Sequence, residues 1–302
     1  MDGDQLRGLQ AAIVAYLTWG LLTLYWKQLS DFDALELIGW RVTSASVLMA
    51  VIVSATGRWG PVIDALRTRA VVARICLASL LLTVNWTTFV WAVVNDRVIE
   101  TALGYFLAPL GTMALGVFVL GERLTPLKRA SAVFALTAVG VLTVSYGRMP
   151  WVALLLACSW SYYGLTKRRV PLDPVASLSS ELFVLAVPAA ALVISGFLRT
   201  GGIPDQASSS DWPLLVGTGA ITAAPLLLFA FAAKRVPFTI LGPANYIIPI
   251  INFLLGWLVF DEQLPASRVV GFALVWAALI LVTLDMAHQR LPRTDKMMVP
   301  VR

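Results

Sequence analysis

Long apolar runs broken by short polar stretches fill this chain. Ten can be drawn, at roughly 8–26, 37–56, 71–94, 99–120, 130–146, 151–166, 176–198, 213–233, 240–260 and 268–286. Most reach the ~17–25 residues that carry a helix across a bilayer, and the sixth is short. Lipid offers backbone N–H and C=O groups no partners, so each run is expected to be a helix bonded within itself. The pattern predicts an all-α membrane protein with ten transmembrane helices. The stretch Arg199–Trp212 and the tail from Ala287 read as loops.

The runs also repeat. Pro109 leads an apolar segment ending in Gly121-Glu122-Arg123-Leu124, and Pro249 leads another ending in Asp261-Glu262-Gln263-Leu264. The proline-to-glutamate spacing is 13 in both, and Gly116 and Gly256 share the same offset of 140. Five spans per copy is an odd number, so the second copy is expected to lie upside down in the membrane. Residues 1–147 form the first five-helix repeat on this reading, 148–287 the second, and 288–302 a cytoplasmic tail. Inverted repeats suit alternating access, with a substrate site near the midplane between the halves.

Charge sets the orientation. Of 23 Lys and Arg residues, only Lys27, Arg97, Arg148, Arg199 and Arg268 fall at one set of helix ends. Arg41 lies inside a run, and the other seventeen collect at the opposite ends. That bias places both termini in the cytoplasm, which agrees with an even number of spans. The net charge of +6 therefore reflects membrane topology and gives no indication of nucleic acid. A chain 59% hydrophobic and 13% charged, with mean hydropathy +0.80, matches a polytopic membrane protein. The first run passes into Lys27 without a small-residue cleavage site and reads as a retained helix. Cys76 and Cys158 read as small core residues. With one histidine, His288, and no P-loop, GxSxG or HExxH, the chain offers no cofactor, metal or hydrolytic motif.

Arg41 is the basic residue with no place at a helix end. It lies about 7–8 Å deeper than Glu36, which opens the same helix. An intramembrane arginine is costly and normally faces a cavity or partner. Arg41 is thus the candidate anchor for an anionic or carboxylate-bearing substrate group, or a structural partner of Glu36. Glu181, about six residues into helix seven, and Glu36 are the candidate coupling acids, with the proton as candidate coupling ion. Asn85, Trp86 and Trp91 on helix three are candidate ligand contacts. Asn85 is equally suited to bonding between helices, and Trp86 to stacking or plain packing. Tyr105 and Tyr246 lie just before Pro109 and Pro249, where the helices should bend, and Asn245 adjoins Tyr246. Gly104, Ala108, Thr112 and Gly116 form a small-residue packing seam. Trp26, Trp151 and Trp212 read as interfacial anchors.

These residues carry a resemblance. Ala15-Tyr16-Leu17-Thr18-Trp19-Gly20, Leu24-Tyr25-Trp26-Lys27, Glu36 with Arg41, Asn85-Trp86, Trp91-Ala92-Val93 and Leu103-Gly104-Tyr105-Phe106 resemble the drug/metabolite transporter superfamily, EamA-like branch, RarD (chloramphenicol-sensitivity) group. Weaker matches follow at Tyr162-Gly164-Leu165 and from Pro249 to Glu262. The resemblance implies ten helices in two inverted halves, an inner-membrane location and secondary transport of a small metabolite through a central cavity. The group tends to carry Asn near Pro109, where this chain has Ala108 and Thr112, so its ligand preference should differ. The expectation is a transporter, not an enzyme, of a small polar or amphipathic molecule among membrane lipids, as monomer or homodimer. A non-transporting receptor or assembly protein, or an integral-membrane enzyme, is the alternative.

Overall fold

The computed structural model describes residues 3–121, 124–167, 169–200, 208, 211–233, 235–236, 241 and 244–288. Expectations for Glu122, Arg123, Arg168, Lys234, most of the 199–212 loop, and the tail beyond His288 lie outside the described residues.

Among the described residues there is no strand. The helices are α1 (Gly3–Lys27), α2 (Ala34–Ala55), α3 (Trp59–Arg67), α4 (Arg69–Val94), α5 (Val98–Leu120), α6 (Pro126–Tyr146), α7 (Trp151–Lys167), α8 (Pro174–Thr200), α9 (Trp212–Ala233), α10 (Ile247–Leu254) and α11 (Ala266–His288). Eight of them, α1, α2, α4, α5, α6, α8, α9 and α11, are long and apolar enough to cross a membrane. The sixth apolar run forms the short α7, of 17 residues.

The ninth run does not form one continuous helix. Asn245 and Tyr246 make a turn, α10 starts at Ile247, and a π-helical turn continues it over Leu255–Val259. Pro249 explains the late start. It has no N–H to offer the carbonyl of Asn245, and its ring crowds that carbonyl. In the first turn of α10 neither defect matters. Pro109, by contrast, lies inside α5.

The short helix α3 was not foreseen. It is too brief to cross a bilayer, but its apolar residues lie on two faces. Val62 and Ala65 are buried, whereas Trp59, Ile63 and Leu66 are exposed. Two other expectations fail on burial. Cys76 and Cys158 are exposed free thiols on the outer faces of α4 and α7. Apolar runs do not reveal which helix face meets lipid, because lipid and protein interior are similarly apolar. Trp26 is no interfacial anchor; it is fully buried, with its ring beneath the Arg41 guanidinium.

The chain divides into two compact units. One comprises Met1–Leu115 and Pro150–Leu264, the other Gly116–Met149 and Pro265–Arg302. In the first, α2 packs on α8 and α9, α1 on α9 and α10, and α4 on α7 and α8. Small residues permit the tightest crossings. A Cβ on Gly104 of α5 would stand 2.8 Å from Leu156 Cβ and 3.0 Å from the Ala153 carbonyl oxygen, both on α7. A Cβ on Gly219 of α9 would collide with the α2 backbone at Ser44 and Ala45. The Gly104–Thr112 seam thus packs on α7, where Ser161 Oγ donates to the Ala108 carbonyl at 2.9 Å.

The second unit is chiefly the pair α6 and α11. Thr125 Oγ1 donates to Asp285 Oδ1 at 2.6 Å, and Ser131 Oγ donates to the Ala278 carbonyl at 2.8 Å. Lys128 Nζ lies 3.7 Å from Asp285 Oδ2. Leu142 fills the space over Gly271.

Candidate functional site

A cavity of about 100 Å³ lies within the first unit. Helices α1, α2, α4 and α5 supply Trp19, Leu22, Arg41, Leu82, Asn85, Trp86, Phe89, Tyr105 and Ala108. Helices α7, α8, α9 and α10, with the turn before α10, supply Trp160, Tyr163, Leu178, Leu226, Asn245, Ile248 and Pro249.

Arg41 is placed by the start of α2. Asp33 caps that helix by accepting from the Leu35 N–H at 2.9 Å, and eight residues bring the chain about two turns further in. Arg41 is only 4% exposed. Its guanidinium lies 4.1 Å from the Trp86 ring centroid and 5.2 Å from that of Trp26. Among the described residues it makes no ion pair, and its Nε has no hydrogen-bond partner. The indole faces offset part of the cost of burial. They leave the in-plane N–H groups, which form a fork matched to a carboxylate.

Asn85 does the work of joining helices. Its Nδ2 donates to Ser159 Oγ at 3.0 Å and to the Leu156 carbonyl at 3.2 Å. Its Oδ1 accepts from Tyr105 Oη at 3.2 Å. The amide therefore locks α4 to α7 and fixes the Tyr105 ring in the cavity wall.

Glu181 lies behind the wall and is fully buried. Tyr163, a lining residue, donates to its Oε2 at 3.0 Å. Lys167 Nζ meets its Oε1 at 2.5 Å, and Ser177 Oγ donates to the same oxygen at 3.3 Å. Glu36 is elsewhere. It is buried against Gly196, its Oε1 has no hydrogen-bond partner, and it forms no ion pair with Arg41.

Of the residues singled out from the sequence, Arg41, Asn85, Trp86, Tyr105 and Asn245 come together on the cavity. Trp91 and Tyr246 do not line it. Trp91 packs on Trp151, with centroids 5.0 Å apart, and beneath Arg97. Tyr246 approaches Phe106 at 6.5 Å. Trp19, Phe89, Trp160 and Tyr163 were missed as lining residues. The offset of 140 recovers none of these four, although it pairs Trp86 with Leu226, Tyr105 with Asn245, and Ala108 with Ile248, all on the cavity.

Comparison with known proteins fits this arrangement. The EamA-like transporter family matches the chain twice, over residues 6–144 and 148–284. Protein RarD of Streptomyces exfoliatus is 38% identical over 286 residues, covering 94% of this chain and 90% of its own. The uncharacterized transporter YojE of Bacillus subtilis is 34% identical, covering 92% and 93%. One crystal structure shares the fold, with a TM-score of 0.58 at 20% identity over 92% of this chain and 97% of its own. Two family matches spanning nearly the whole sequence, on a chain with eight membrane-length helices, establish a multi-pass membrane protein that belongs to the EamA-like transporter family, in its RarD group.

Proposed function

We propose that the chain is a secondary active transporter that moves a small anionic or amphipathic metabolite across the cytoplasmic membrane by alternating access. The observation that carries this reading is a cavity lined from both repeats, with the buried Arg41 in its wall. The ten-span, inverted-repeat arrangement gains support from the packing. Exchanging each helix for its counterpart in the other repeat turns the α1–α9 contact into α7–α4, and α2–α9 into α8–α4. It returns α2–α8 and α6–α11 to themselves. It likewise turns α1–α10 into the α7–α5 contact at Gly104. Asp33 and Asp173, 140 apart, cap α2 and α8 in the same way. A two-fold relation of this kind gives two equivalent ways of opening the cavity, one to each side.

Arg41 anchors the substrate, while Trp86, Tyr105 and Asn245 shape its site. Asn85 supports that wall, and Trp91 and Tyr246 act from behind it. Glu181, one hydroxyl removed from the cavity, is the favoured coupling acid, with Glu36 the second and the proton as coupling ion. Both termini face the cytoplasm.

The test is flux. Purified protein is reconstituted into liposomes, and capacitive currents and uptake are recorded on concentration jumps of small carboxylates, amino acids, nucleobases and amphenicols. Saturable flux that Arg41→Ala abolishes is expected. Compounds that shift the melting temperature but never cross the membrane would replace the transporter with a receptor.

A further inference from the structure

The charge arrangement around the cavity goes beyond "small and anionic". Arg41 and Glu181 stand 140 residues apart, at equivalent positions of α2 and α8, and Lys27 and Lys167 are likewise equivalent at the ends of α1 and α7. In the second repeat, Lys167 takes Glu181, so the pair is neutral. In the first repeat, Lys27 takes Asp96 instead. Arg41 is left as a buried cation with no acid of its own chain among the described residues. Among the described residues it is also the single charged one in the cavity wall.

A ligand therefore enters a cavity that carries one positive charge. A monoanion neutralises it. A dianion leaves a negative charge in a wall whose described residues offer no second cation. An ammonium finds no free carboxylate among the described residues, because both oxygens of Glu181 already accept from Lys167, Ser177 and Tyr163. Burial makes each mismatch expensive. Shape narrows the class further. Trp19, Trp86, Phe89, Tyr105, Trp160 and Tyr163 line the space, which favours a flat apolar body. Arg41 lies over the Trp86 ring, and its N–H groups suit a bidentate carboxylate.

The geometry points to planar aromatic monocarboxylates without an amine as the substrate class. This rests on the transporter reading of the same cavity and specifies its cargo. The probe is indole-3-acetate. Its controls are indole-3-acetamide, which lacks the charge, tryptophan, which adds an ammonium, and tryptamine, which has only the ammonium. Binding to the full-length protein is measured by calorimetry and melting shift.

Indole-3-acetate should bind at least about tenfold more tightly than any control. Arg41→Gln should remove that preference, and Arg41→Lys should keep part of it through charge alone. If Arg41→Gln does not fold, the wild-type ranking of the four compounds decides by itself. Equal or tighter binding of tryptophan or tryptamine overturns the class, as does binding of none of the four. Flux in liposomes separates the two readings. Transport of tryptophan without indole-3-acetate sinks the class and leaves a transporter. Arg41-dependent binding of indole-3-acetate without flux of any bound compound leaves the class and sinks the transporter.

Discussion

Glu262 joins the end of the ninth apolar run to the start of the fourth, and the consequence of removing it can be worked out. Its two carboxylate oxygens accept from the backbone N–H groups of Val98 and of Ile99, the latter at 3.0 Å. These are two of the four donors that the first turn of α5 leaves without helical partners. In Glu262→Ala both lose their acceptor. Capping residues contribute about 0.5–2 kcal/mol and unsatisfied buried donors about 1–3 kcal/mol each. Glu262 is half-buried, so water replaces part of the loss. A net cost of about 2 kcal/mol follows, or a few degrees of melting temperature in a chain of this size.

Glu262→Gln keeps one acceptor and should cost about half as much. Thermal unfolding in detergent gives the magnitude, and hydrogen exchange gives the location. The Val98 and Ile99 amides should exchange faster in Glu262→Ala while those of α6 do not change. Unaltered exchange at Val98 and Ile99 would refute the cap. Acid adds a second reading. Burial, aided by Asp96, raises the Glu262 pKa against the pull of the two N–H groups and Lys27. The folded state thus holds this proton more tightly than the unfolded chain. The associated stability is fully present below the ordinary glutamate pKa and is lost as pH rises through the raised value. Glu262→Gln should flatten the stability profile over that window.

The remaining predictions concern packing, charge and reactivity. Gly219→Ala places a methyl against the α2 backbone and should cost about 1–3 kcal/mol, whereas Gly140→Ala, with nothing within 4 Å of its new Cβ, should stabilise α6 by about 0.5–1 kcal/mol. Melting curves of the two variants should move in opposite directions. Lys167→Met should cost about 3–5 kcal/mol by stranding the buried Glu181, and adding Glu181→Gln should recover part of that loss. A double-mutant cycle with no coupling energy would break this account. Cys76 and Cys158, exposed on helix faces that meet lipid where a thiol does not ionise, should react with a maleimide far more slowly in liposomes than after unfolding, and replacing both with serine should change stability by no more than about 0.5 kcal/mol each.

Much of the candidate site was legible before the fold was known, because buried charge in an apolar run is conspicuous. Arg41 could not be assigned to a helix end, so a cavity or partner had to explain it. Tyr105 and Asn245 were flagged by their prolines, which withdraw a hydrogen bond from the carbonyls of those same residues. Trp160 and Tyr163 carried no such signal. An aromatic residue in a membrane helix suits lipid, core and cavity alike, and helical periodicity is weak where every face is apolar. Trp26 and the two cysteines were misplaced for that reason.

The sequence by itself determined the helical class, the membrane setting and the repeat. Length and hydropathy leave a backbone in lipid few other solutions, and an offset of 140 is visible without coordinates. Only the tertiary structure decided which charges are matched. Lys167 lies 14 residues from Glu181 and Lys27 lies 69 from Asp96, so both pairings depend on how the helices pack. That packing leaves Arg41 between two indole rings with its N–H edge unmatched. Coulomb energy and desolvation depend on distance in space, and sequence separation does not fix that distance.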